Sequence, residues 1–595
     1  MSAAEQSLGD NAKSIKAIPG SEVLLALSIN VTIVLSLILY SGWPFTYPLD
    51  DTYIQMATAR TFRESGTWGI TSLDPAAASS SPFYVLILAA LHLLFGGVQA
   101  FEWMPLLING LAMAGCLLVW DRILTDVAAA TPAGTLSPGR RFAMLMVLAA
   151  ATPLFVLTLI GMEHTIQCLV DILLVYYGGK AVATQDKASW QDALLLFIAA
   201  YIVVGTRYES VLVVAPLAGA ALVNGKFRYT GALVLGTLLP IVSFGLVWRG
   251  DGGWLVPNSI LMKLILHDQH GEHVIQHLQG SLSLAGVMAV NVALSGLRLR
   301  PRWRALNLSG PWGVARLRST LELVTRDWVA VFAATALAAG AVQLLTGAAG
   351  WLYRYEAAVL CLNAVSIMIQ LILDHRPKVQ TLVLAGLLAI LAYRTIDASY
   401  LVAAAPADRR WEHVEPARFV SRFYPNQAIV VNDIGAMAWY APSTRVLDLA
   451  GLANNDIARL RLSPTGLEWP AVADWARQGG APLAILQICW NPIAEVIPDT
   501  WRLVALWTGP DNVLFGDRAI GVFATSQGAV ATLKRSLTQY PRPDSVRLMY
   551  FDDLPEQAQA RFMQALRVRH CQVVPSLNEE IQQWRARQGR PRQQP

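Results

Sequence analysis

Long apolar runs separated by short polar segments dominate the first 400 residues of the chain. Most runs approach the ~20 residues that a helix needs to cross the ~30 Å hydrocarbon core of a bilayer. The pattern therefore predicts a polytopic α-helical membrane protein with about eleven spans. The predicted spans are Val23–Tyr40, Met104–Trp120, Phe142–Ile160, Thr165–Gly178, Trp190–Val204, Val211–Val223, Tyr229–Trp248, Leu282–Leu297, Trp328–Leu345, Tyr355–Leu373 and Val379–Ile396.

One further apolar run, Phe83–Phe95, is too short to be counted with these spans. Its 13 residues would form ~20 Å of helix at a rise of 1.5 Å per residue. Counting it as a span would also invert every later loop against the charge distribution. We predict a re-entrant or surface helix here, and a short tilted span is the alternative.

Lysine and arginine are distributed unevenly between the loops, in alternation along the chain. Basic loops stay in the cytoplasm. Eleven spans then place the N-terminus in the cytoplasm of a bacterial inner-membrane protein and the chain after about residue 400 in the periplasm. The basic loop residues are Lys13, Lys16, Arg122, Arg140, Arg141, Lys180, Lys187, Lys226, Arg228, Arg298, Arg326, Arg376 and Lys378.

The hydrophobic pattern divides the chain into four parts. We expect a cytoplasmic segment over residues 1–22, a membrane domain over 23–400 with a periplasmic loop at 43–81, a periplasmic α/β domain over 401–585, and a disordered tail over 586–595. In the third part, short apolar runs alternate with helical stretches, as is typical of a small α/β domain.

The strands predicted in this third part are short and mostly apolar. One of them is followed by Asn432-Asp433-Ile434-Gly435, at a strand end where ligands often bind. A turn in which Asp and Gly supply the backbone geometry is the preferred interpretation of that segment. The predicted strands are Ala428–Val431, Val446–Leu449, Ala484–Ile488, Leu503–Trp507 and Ile520–Ala524, and the predicted helices include Gly528–Leu537 and Glu556–Arg567.

Composition agrees with the membrane assignment. Only 15% of residues are charged and 54% are hydrophobic, whereas soluble domains carry ~25% charged residues. No basic stripe with interleaved aromatic residues points to a nucleic acid partner. Cys489 and Cys571 fall in the polar C-terminal part, where they form either a disulfide or two unrelated thiols. Cys116, Cys168 and Cys361 lie in apolar runs and are expected to be buried packing residues.

Ionisable residues collect at the span ends on the predicted periplasmic side. Such groups are costly at membrane depth and usually line a cavity or pair with one another. Their repetition on one side predicts an enclosed polar pocket that faces outward, although each cation alone could equally be an interface anchor. The residues are Asp50, Asp51, Glu163, His164, Arg207, Glu209, Lys263, Arg354 and Glu356.

The strongest local signal is the segment Tyr47-Pro-Leu-Asp50-Asp51-Thr-Tyr53-Ile. Pro48 holds the chain extended, so Asp50 is a natural N-cap for an amphipathic helix Thr52–Glu64 that lies on the membrane surface. A carboxylate near hydrocarbon is placed to take a proton from an alcohol, whereas the simpler alternative is that Asp50 and Asp51 only cap the helix. Ser79-Ser-Ser-Pro82 then begins a second helix whose free N–H groups could bind an anion.

These residues resemble the GT-C glycosyltransferases, in particular the branch related to mycobacterial-type arabinofuranosyltransferases. The resemblance covers most of residues 20–460 and is specific as an ensemble rather than motif by motif. Beside the acidic pair, it rests on Gly161-Met-Glu-His164, Thr206-Arg-Tyr-Glu209, Pro257-Asn-Ser with Lys263, Tyr353-Arg-Tyr-Glu356, Asn432-Asp-Ile-Gly435 and Leu447-Asp-Leu-Ala-Gly-Leu452.

The resemblance implies inverting transfer of a sugar, with arabinofuranose suggested, from a polyprenyl-phosphate donor to a periplasmic glycan, lipid or protein. It implies Asp50 as the base, but Asp51 stands where related branches often carry Glu, which leaves open which carboxylate acts. The remaining implied roles are donor-phosphate binding by Lys263, Arg207, Arg354 and His164, and substrate binding by Tyr53, Glu163, Glu209 and Glu356.

A histidine-rich loop, His267 to His277, carries no further carboxylate at a settled spacing, so the sequence assigns no metal ligands. A divalent cation as cofactor is left open. A membrane transporter or lipid-linked-sugar flippase is the alternative function, and a membrane scaffold is the third. No internal repeat is visible, and the polar groups crowd one face rather than the midplane where transporters bind their substrates.

Overall fold

Helices form along all eleven apolar segments that the sequence predicts to span the membrane. The computed structural model describes residues 20–42, 44–95, 101–266, 274–305, 321–322, 324–346, 349–374, 376–488, 491–510, 519–551 and 556–569. The helices of the N-terminal region are α1 Ser21–Ser41, α2 Asp50–Ser65, α3 Pro82–Phe95, α4 Met104–Ala129, α5 Pro138–Ala151, α6 Leu154–Ile160, α7 His164–Ala183, α8 Trp190–Thr206, α9 Val211–Val223, α10 Phe227–Gly250, α11 Asn258–Leu266, α12 Val274–Ala305, α13 Trp328–Thr346, α14 Ala357–Leu373 and α15 Pro377–Arg409.

Length and hydropathy identify the chain as a multi-pass membrane protein. Within the described ranges, seven helices are long and apolar enough to cross a bilayer. An eighth span results if α5 and α6 count as one helix, bent by 44° at Thr152 and Pro153, where proline lacks the N–H that would continue the helix. The three other predicted spans, α8, α9 and α14, are shorter apolar helices, so their crossing of the membrane stays a prediction.

Helix α3 has the length that the sequence suggested, with 14 residues. It packs against α2 and α8 and buries Tyr84, Val85 and Leu88. Whether it is re-entrant, surface-bound or a tilted span stays a prediction. The thiols of Cys116, Cys168 and Cys361 are buried and free, as expected. Cys489, Cys571 and the tail over 586–595 lie outside the described residues.

The last predicted span continues without interruption into the C-terminal region. Helix α15 passes through a π-helical turn, Arg410–Val414, into α16, Glu415–Phe423. The predicted domain boundary at residues 400 and 401 therefore lies inside one helical element of 47 residues. Single π-turns occur often at functional sites, and this one carries His413.

A six-stranded mixed sheet forms the core of the C-terminal region, as the α/β prediction requires. The strand order is β2-β1-β3-β5-β4-β6. Strand β1 pairs in parallel with β2 and β3, and the remaining pairs are antiparallel. The strands are β1 Ala428–Val431, β2 Arg445–Asp448, β3 Leu483–Gln487, β4 Arg502–Thr508, β5 Ile520–Ala524 and β6 Arg547–Tyr550.

Helices pack around this sheet. They are α17 Gly435–Tyr440, α18 Asn455–Leu462, α19 Trp469–Gln478, α20 Asn491–Ala494, α21 Val530–Gln539 and α22 Glu556–Arg569. The five strands predicted from the sequence are confirmed within one residue at each end. Strand β6 was not predicted, although Leu548 to Phe551 form a short apolar run; it lies at the sheet edge and is only partly buried.

Helix α2 differs from its prediction in two respects. It begins at Asp50, with Leu49 as the N-cap, so the predicted N-cap role of Asp50 for its own helix is wrong. Its polar side is also not exposed, because most of its residues are buried, among them the polar Gln55 and Arg60; its position along the membrane surface stays a prediction. The C-terminal region packs against the polar face of this helix.

Two charged side chains of α2 hold the short helix α17 at its opposite ends. The Asp50 carboxylate accepts hydrogen bonds from the backbone N–H groups of Gly435 and Ala436. The Arg60 guanidinium donates to the carbonyl oxygens of Ala438 and Trp439, at 2.7 and 3.0 Å. An anion at the N-terminus and a cation near the C-terminus both complement the helix dipole. This contact fixes the sheet domain on the membrane region.

We expect Gly435→Ala to destabilise the contact by ~1–3 kcal/mol, the usual cost of overpacking. A Cβ atom at Gly435 would lie 2.7 Å from Asp50 Oδ2 and closer still to the Asp50 carbonyl oxygen. Thermal unfolding in detergent, with limited proteolysis of the α15–α17 region, measures the effect. Gly528→Ala is the matched control, since its Cβ would meet nothing within 4 Å. Equal stability of the two variants would contradict the inferred docking.

Candidate functional site

An exposed carboxylate and a buried guanidinium meet at the start of α2. Asp51 follows the domain contact of Asp50 by one residue, and its Oδ2 atom lies 2.5 Å from Nη2 of Arg354. The Asp51 side chain is 39% exposed, whereas that of Arg354 is only 3% exposed. Arg354 also packs over the ring of Tyr355 and donates to the sulfur of Met162. The solvent-exposed carboxylate of Asp51 is therefore paired with a guanidinium that its other contacts hold in place.

A second cluster surrounds Arg207, which lies between α8 and α9. Arg207 forms ion pairs with Glu163, which is buried, and with Glu209 at 2.8 Å, whose side chain is 39% exposed. Glu163 also accepts a hydrogen bond of 2.7 Å from Gln55 of α2. Burial would raise the pKa of Glu163, but the charges of Arg207 and His164, together with hydrogen bonds from Gln55 and Ser81, lower that pKa. Glu163 is therefore a fixed anion that orients Arg207.

The two clusters lie close enough for Arg354 to repel Arg207 electrostatically. Together they contain three carboxylates, those of Asp51, Glu163 and Glu209, and two guanidinium groups. Both arginines are thus already paired. A buried guanidinium that is left without a counter-ion costs much stability, so any anion that enters this site would have to replace the exposed Asp51 beside Arg354 or the exposed Glu209 beside Arg207.

A backbone turn with left-handed φ angles directly precedes Arg354 and positions it in this site. Trp351, Leu352 and Tyr353 have φ angles of 50°, 59° and 57°, and each such residue costs ~1–2 kcal/mol when it is not glycine. Strain of this kind persists where the surroundings hold it and is common at functional sites. The turn ends where Arg354 enters the cluster.

A buried ion pair holds this turn in place. Arg394 of α15 binds Glu356 at 2.9 Å and donates to the Tyr353 carbonyl oxygen at 3.0 Å. Glu356 in turn accepts the N–H of Gly350, at the other end of the turn. Both side chains of the ion pair are at most 1% exposed. Glu356, predicted to bind substrate, instead stabilises the backbone that presents Arg354.

The adjacent carboxylates Asp50 and Asp51 have different surroundings. Asp50 is buried, and both of its oxygens accept backbone N–H groups of α17. Burial, and then the nearby carboxylate of Asp433, raise the pKa of Asp50 well above its usual value. Asp51 is the member of the pair whose carboxylate is exposed, beside Arg354.

The other predicted site residues lie at different distances from this centre. His164 is buried, with Nε2 3.5 Å from Nη1 of Arg207. Tyr53 is buried between Tyr47 and Tyr440, and its hydroxyl accepts the N–H of Tyr47. Lys263 belongs to α11, but its side chain lies outside the described part of the chain, as do residues 267–273 of the histidine-rich loop.

Sequence reasoning missed a polar cluster on the other side of Asp50. Nε2 of His413, in the π-helical turn, lies 2.5 Å from Oδ2 of Asp433. Arg409 and Gln487 also contact the His413 ring. The segment beginning at Asn432 signalled a ligand position at a strand end, but a π-turn leaves no periodicity that would point to His413.

Comparisons with known proteins identify a domain and some distant structures. A family model described as a domain of unknown function (DUF8728) matches residues 402–526, which include the π-helical turn and strands β1 to β5. A comparison with curated proteins gives no match.

Similar solved structures include that of ArnT from Cupriavidus metallidurans bound to undecaprenyl phosphate, with 14% identity, a TM-score of 0.40, and coverage of 86% of this chain and 99% of that chain. The apo state of ArnT gives 12% identity, a TM-score of 0.46, and coverage of 85% and 98%. The archaeal oligosaccharyltransferase AglB from Archaeoglobus fulgidus, in complex with an inhibitory peptide and a dolichol-phosphate, gives 11% identity, a TM-score of 0.45, and coverage of 90% and 76%.

We expect Glu356→Gln to lower the free energy of unfolding by ~3–5 kcal/mol, since it leaves the buried guanidinium of Arg394 without its counter-ion. A double-mutant cycle with Arg394→Met, followed by unfolding in detergent, measures the coupling of the two side chains.

The exposed pair Asp474 and Arg477, with side chains 61% and 77% exposed, provides the control. Asp474→Asn is expected to change stability by less than ~0.5 kcal/mol. A negligible cost of Glu356→Gln, or additive effects of Glu356→Gln and Arg394→Met, would show that the ion pair does not hold the turn.

Proposed function

We propose that this protein is an inverting glycosyltransferase of the GT-C type that transfers a sugar from a polyprenyl phosphate to an acceptor hydroxyl. The observation that carries the proposal is the exposed Asp51 carboxylate on the buried Arg354, next to the Arg207 cluster, in a multi-pass membrane protein. This pairing offers a proton acceptor and cations for a phosphate at one place. The resemblance of the surrounding segments to GT-C enzymes supports the same reaction.

Asp51 is proposed as the general base. In the reaction, the acceptor oxygen bonds to the anomeric carbon, and its proton passes to the Asp51 carboxylate. The bond between the anomeric carbon and the phosphate oxygen breaks, and the polyprenyl phosphate leaves with the electron pair. Asp51 is preferred over Asp50 because the Asp50 oxygens are buried against the N–H groups of Gly435 and Ala436.

Arg354 and Arg207 are proposed to bind the donor phosphate, with His164 close to Arg207. Guanidinium groups bind phosphate in a bidentate manner and offset the charge that develops on the leaving group. If Arg354 turns from Asp51 to the phosphate, the carboxylate loses its counter-ion and accepts a proton more readily. Donor binding would thereby activate the base. Lys263 remains a third candidate from the sequence.

The finer assignments come from the resemblance. Arabinofuranose is the proposed sugar, a periplasmic glycan, lipid or protein is the proposed acceptor, and the site is proposed to face the periplasm of a bacterial inner membrane. Glu163 and Glu209 are proposed to act through Arg207, which they bind. The sheet domain is proposed to hold the acceptor over the site.

We expect Asp51→Asn to reduce sugar transfer by ~10²–10⁴-fold, the usual contribution of a general base, and to retain donor binding. The assay follows consumption of radiolabelled decaprenyl-phosphoryl arabinofuranose by the purified full chain in proteoliposomes, with undecaprenyl-phosphate hexoses in parallel. Asp456→Asn, whose side chain is 74% exposed, is the matched control.

Full turnover in Asp51→Asn would overturn the assignment of the base. A chain that moves a fluorescent polyprenyl-phosphate sugar across the vesicle bilayer without consuming any donor would instead be a flippase. Asp50→Asn is expected to reduce the folded fraction more than the turnover of the protein that remains folded.

Arg354→Gln is expected to weaken binding of undecaprenyl phosphate by ~10-fold or more, because a charge-assisted hydrogen bond contributes ~1.5–3 kcal/mol. Quenching of intrinsic fluorescence on titration with the lipid measures the affinity. Arg535→Gln, on the exposed side of α21, is the control. Equal affinity of Arg354→Gln and the unaltered chain for the lipid would show that Arg354 does not bind the phosphate.

A further inference from the structure

Three side chains from separate elements converge beside the domain contact. Asp50 begins α2, His413 lies in the π-helical turn, and Asp433 follows β1. One ligand atom from each of them lies within 4.8 Å of the others. Asp50 and His413 are buried, and the Asp433 side chain is 25% exposed. One imidazole and two carboxylates are a ligand set that suits divalent transition metals.

The charges around this cluster do not cancel. Arg409 lies 3.6 Å from Glu412 and 3.5 Å from Asp433. Arg409 therefore lies among three acidic side chains, those of Glu412, Asp433 and Asp50. A buried carboxylate is costly unless a proton or a cation compensates it, and a divalent ion would supply positive charge at this point.

His413 Nε2 also has conflicting hydrogen-bond partners. The Asp433 carboxylate requires a donor at this nitrogen, whereas the Nε2 amide group of Gln487 and Nη1 of Arg409, each at 2.6 Å, require an acceptor. A metal ion on the lone pair of His413 Nε2 would take Asp433 as a second ligand, and Arg409 would then keep Glu412, 3.6 Å away, as its partner. The amide of Gln487 can present its oxygen in place of its nitrogen by a half-turn.

A small cavity lies against two of these residues, His413 and Asp433. Its volume is about 20 Å³, and His413, Asp433, Asn432 and Gln487 are among its lining residues. A site of this size holds one water molecule. The cavity would therefore accommodate a water ligand that completes the coordination of an ion held by protein side chains.

We propose that Asp50, His413 and Asp433 bind one divalent transition-metal ion, such as Mn²⁺ or Zn²⁺, at the contact between α2 and the sheet domain. The ion would join the first residue of α2 to the π-helical turn of α15 and to the end of β1. It goes beyond the proposed transfer reaction, because none of the three ligands is the proposed base or a phosphate-binding residue.

Mn²⁺ binding to the full chain tests this proposal independently of any transfer activity. The detergent-purified protein is stripped with EDTA, titrated with MnCl₂, and free Mn²⁺ is measured by electron paramagnetic resonance. We expect one tight site per chain, and at least ~10-fold weaker binding in His413→Gln and Asp433→Asn. Asp474→Asn, an exposed carboxylate elsewhere in the sheet domain, should bind as the unaltered chain does.

A spectroscopic measurement distinguishes loss of the histidine ligand from loss of folding in the variants. In the unaltered chain, electron spin echo modulation of bound Mn²⁺ should show coupling to a ¹⁴N nucleus, and His413→Gln should lose this coupling while the chain remains monodisperse in gel filtration. The proposal is overturned if no stoichiometric Mn²⁺ or Zn²⁺ binds, if bound Mn²⁺ shows no ¹⁴N coupling, or if His413→Gln binds unchanged. If Asp51→Asn loses sugar transfer but still binds the metal ion, metal binding is independent of the proposed transfer activity.

Discussion

The contact between the Asp50 carboxylate and the N-terminus of α17 organises the rest of the structure. It buries an anion against two backbone N–H groups, while Arg60 of the same helix binds the carbonyl oxygens near the other end of α17. Helix α2 is thereby enclosed between the membrane region and the sheet domain. Because α2 is held in this way, the next residue, Asp51, is fixed on the open side beside Arg354.

Adjacent residues in a helix point in directions ~100° apart, and the acidic pair uses this geometry. Asp50 is buried in the domain contact, whereas Asp51 is exposed beside Arg354. The two adjacent carboxylates therefore have different surroundings. The buried pair of Glu356 and Arg394 contributes in a similar way, since it holds the left-handed turn that positions Arg354.

Much of the architecture could be predicted from the sequence, because apolar runs and alternating short strands are local patterns. The helical segments and five strands followed from them, and the unusual charges at Glu163, Arg207 and Arg354 were found as a group. Their pairing could not be predicted, since each contact joins segments far apart in the chain.

The contacts of Asp50, Glu356 and His413 could not be predicted from the sequence, for related reasons. An acidic pair before a helix is indistinguishable in sequence from an ordinary cap, although Asp50 binds a different helix 385 residues away. Glu356 depends on Arg394, a charged residue inside a predicted span whose partner could not be identified from the sequence. His413 depends on a π-helical turn, which has no periodicity of its own.

The continuous helical element from Pro377 to Phe423 has a mechanical consequence. At 1.5 Å per residue it is ~70 Å long, so more than half of it extends beyond a ~30 Å hydrocarbon layer. A small tilt of so long a helix inside the bilayer would move its far end, at the sheet domain, by several ångströms. Because the contact of Asp50 with α17 ties the sheet domain to α2, bilayer thickness would set how far both stand out from the hydrocarbon layer.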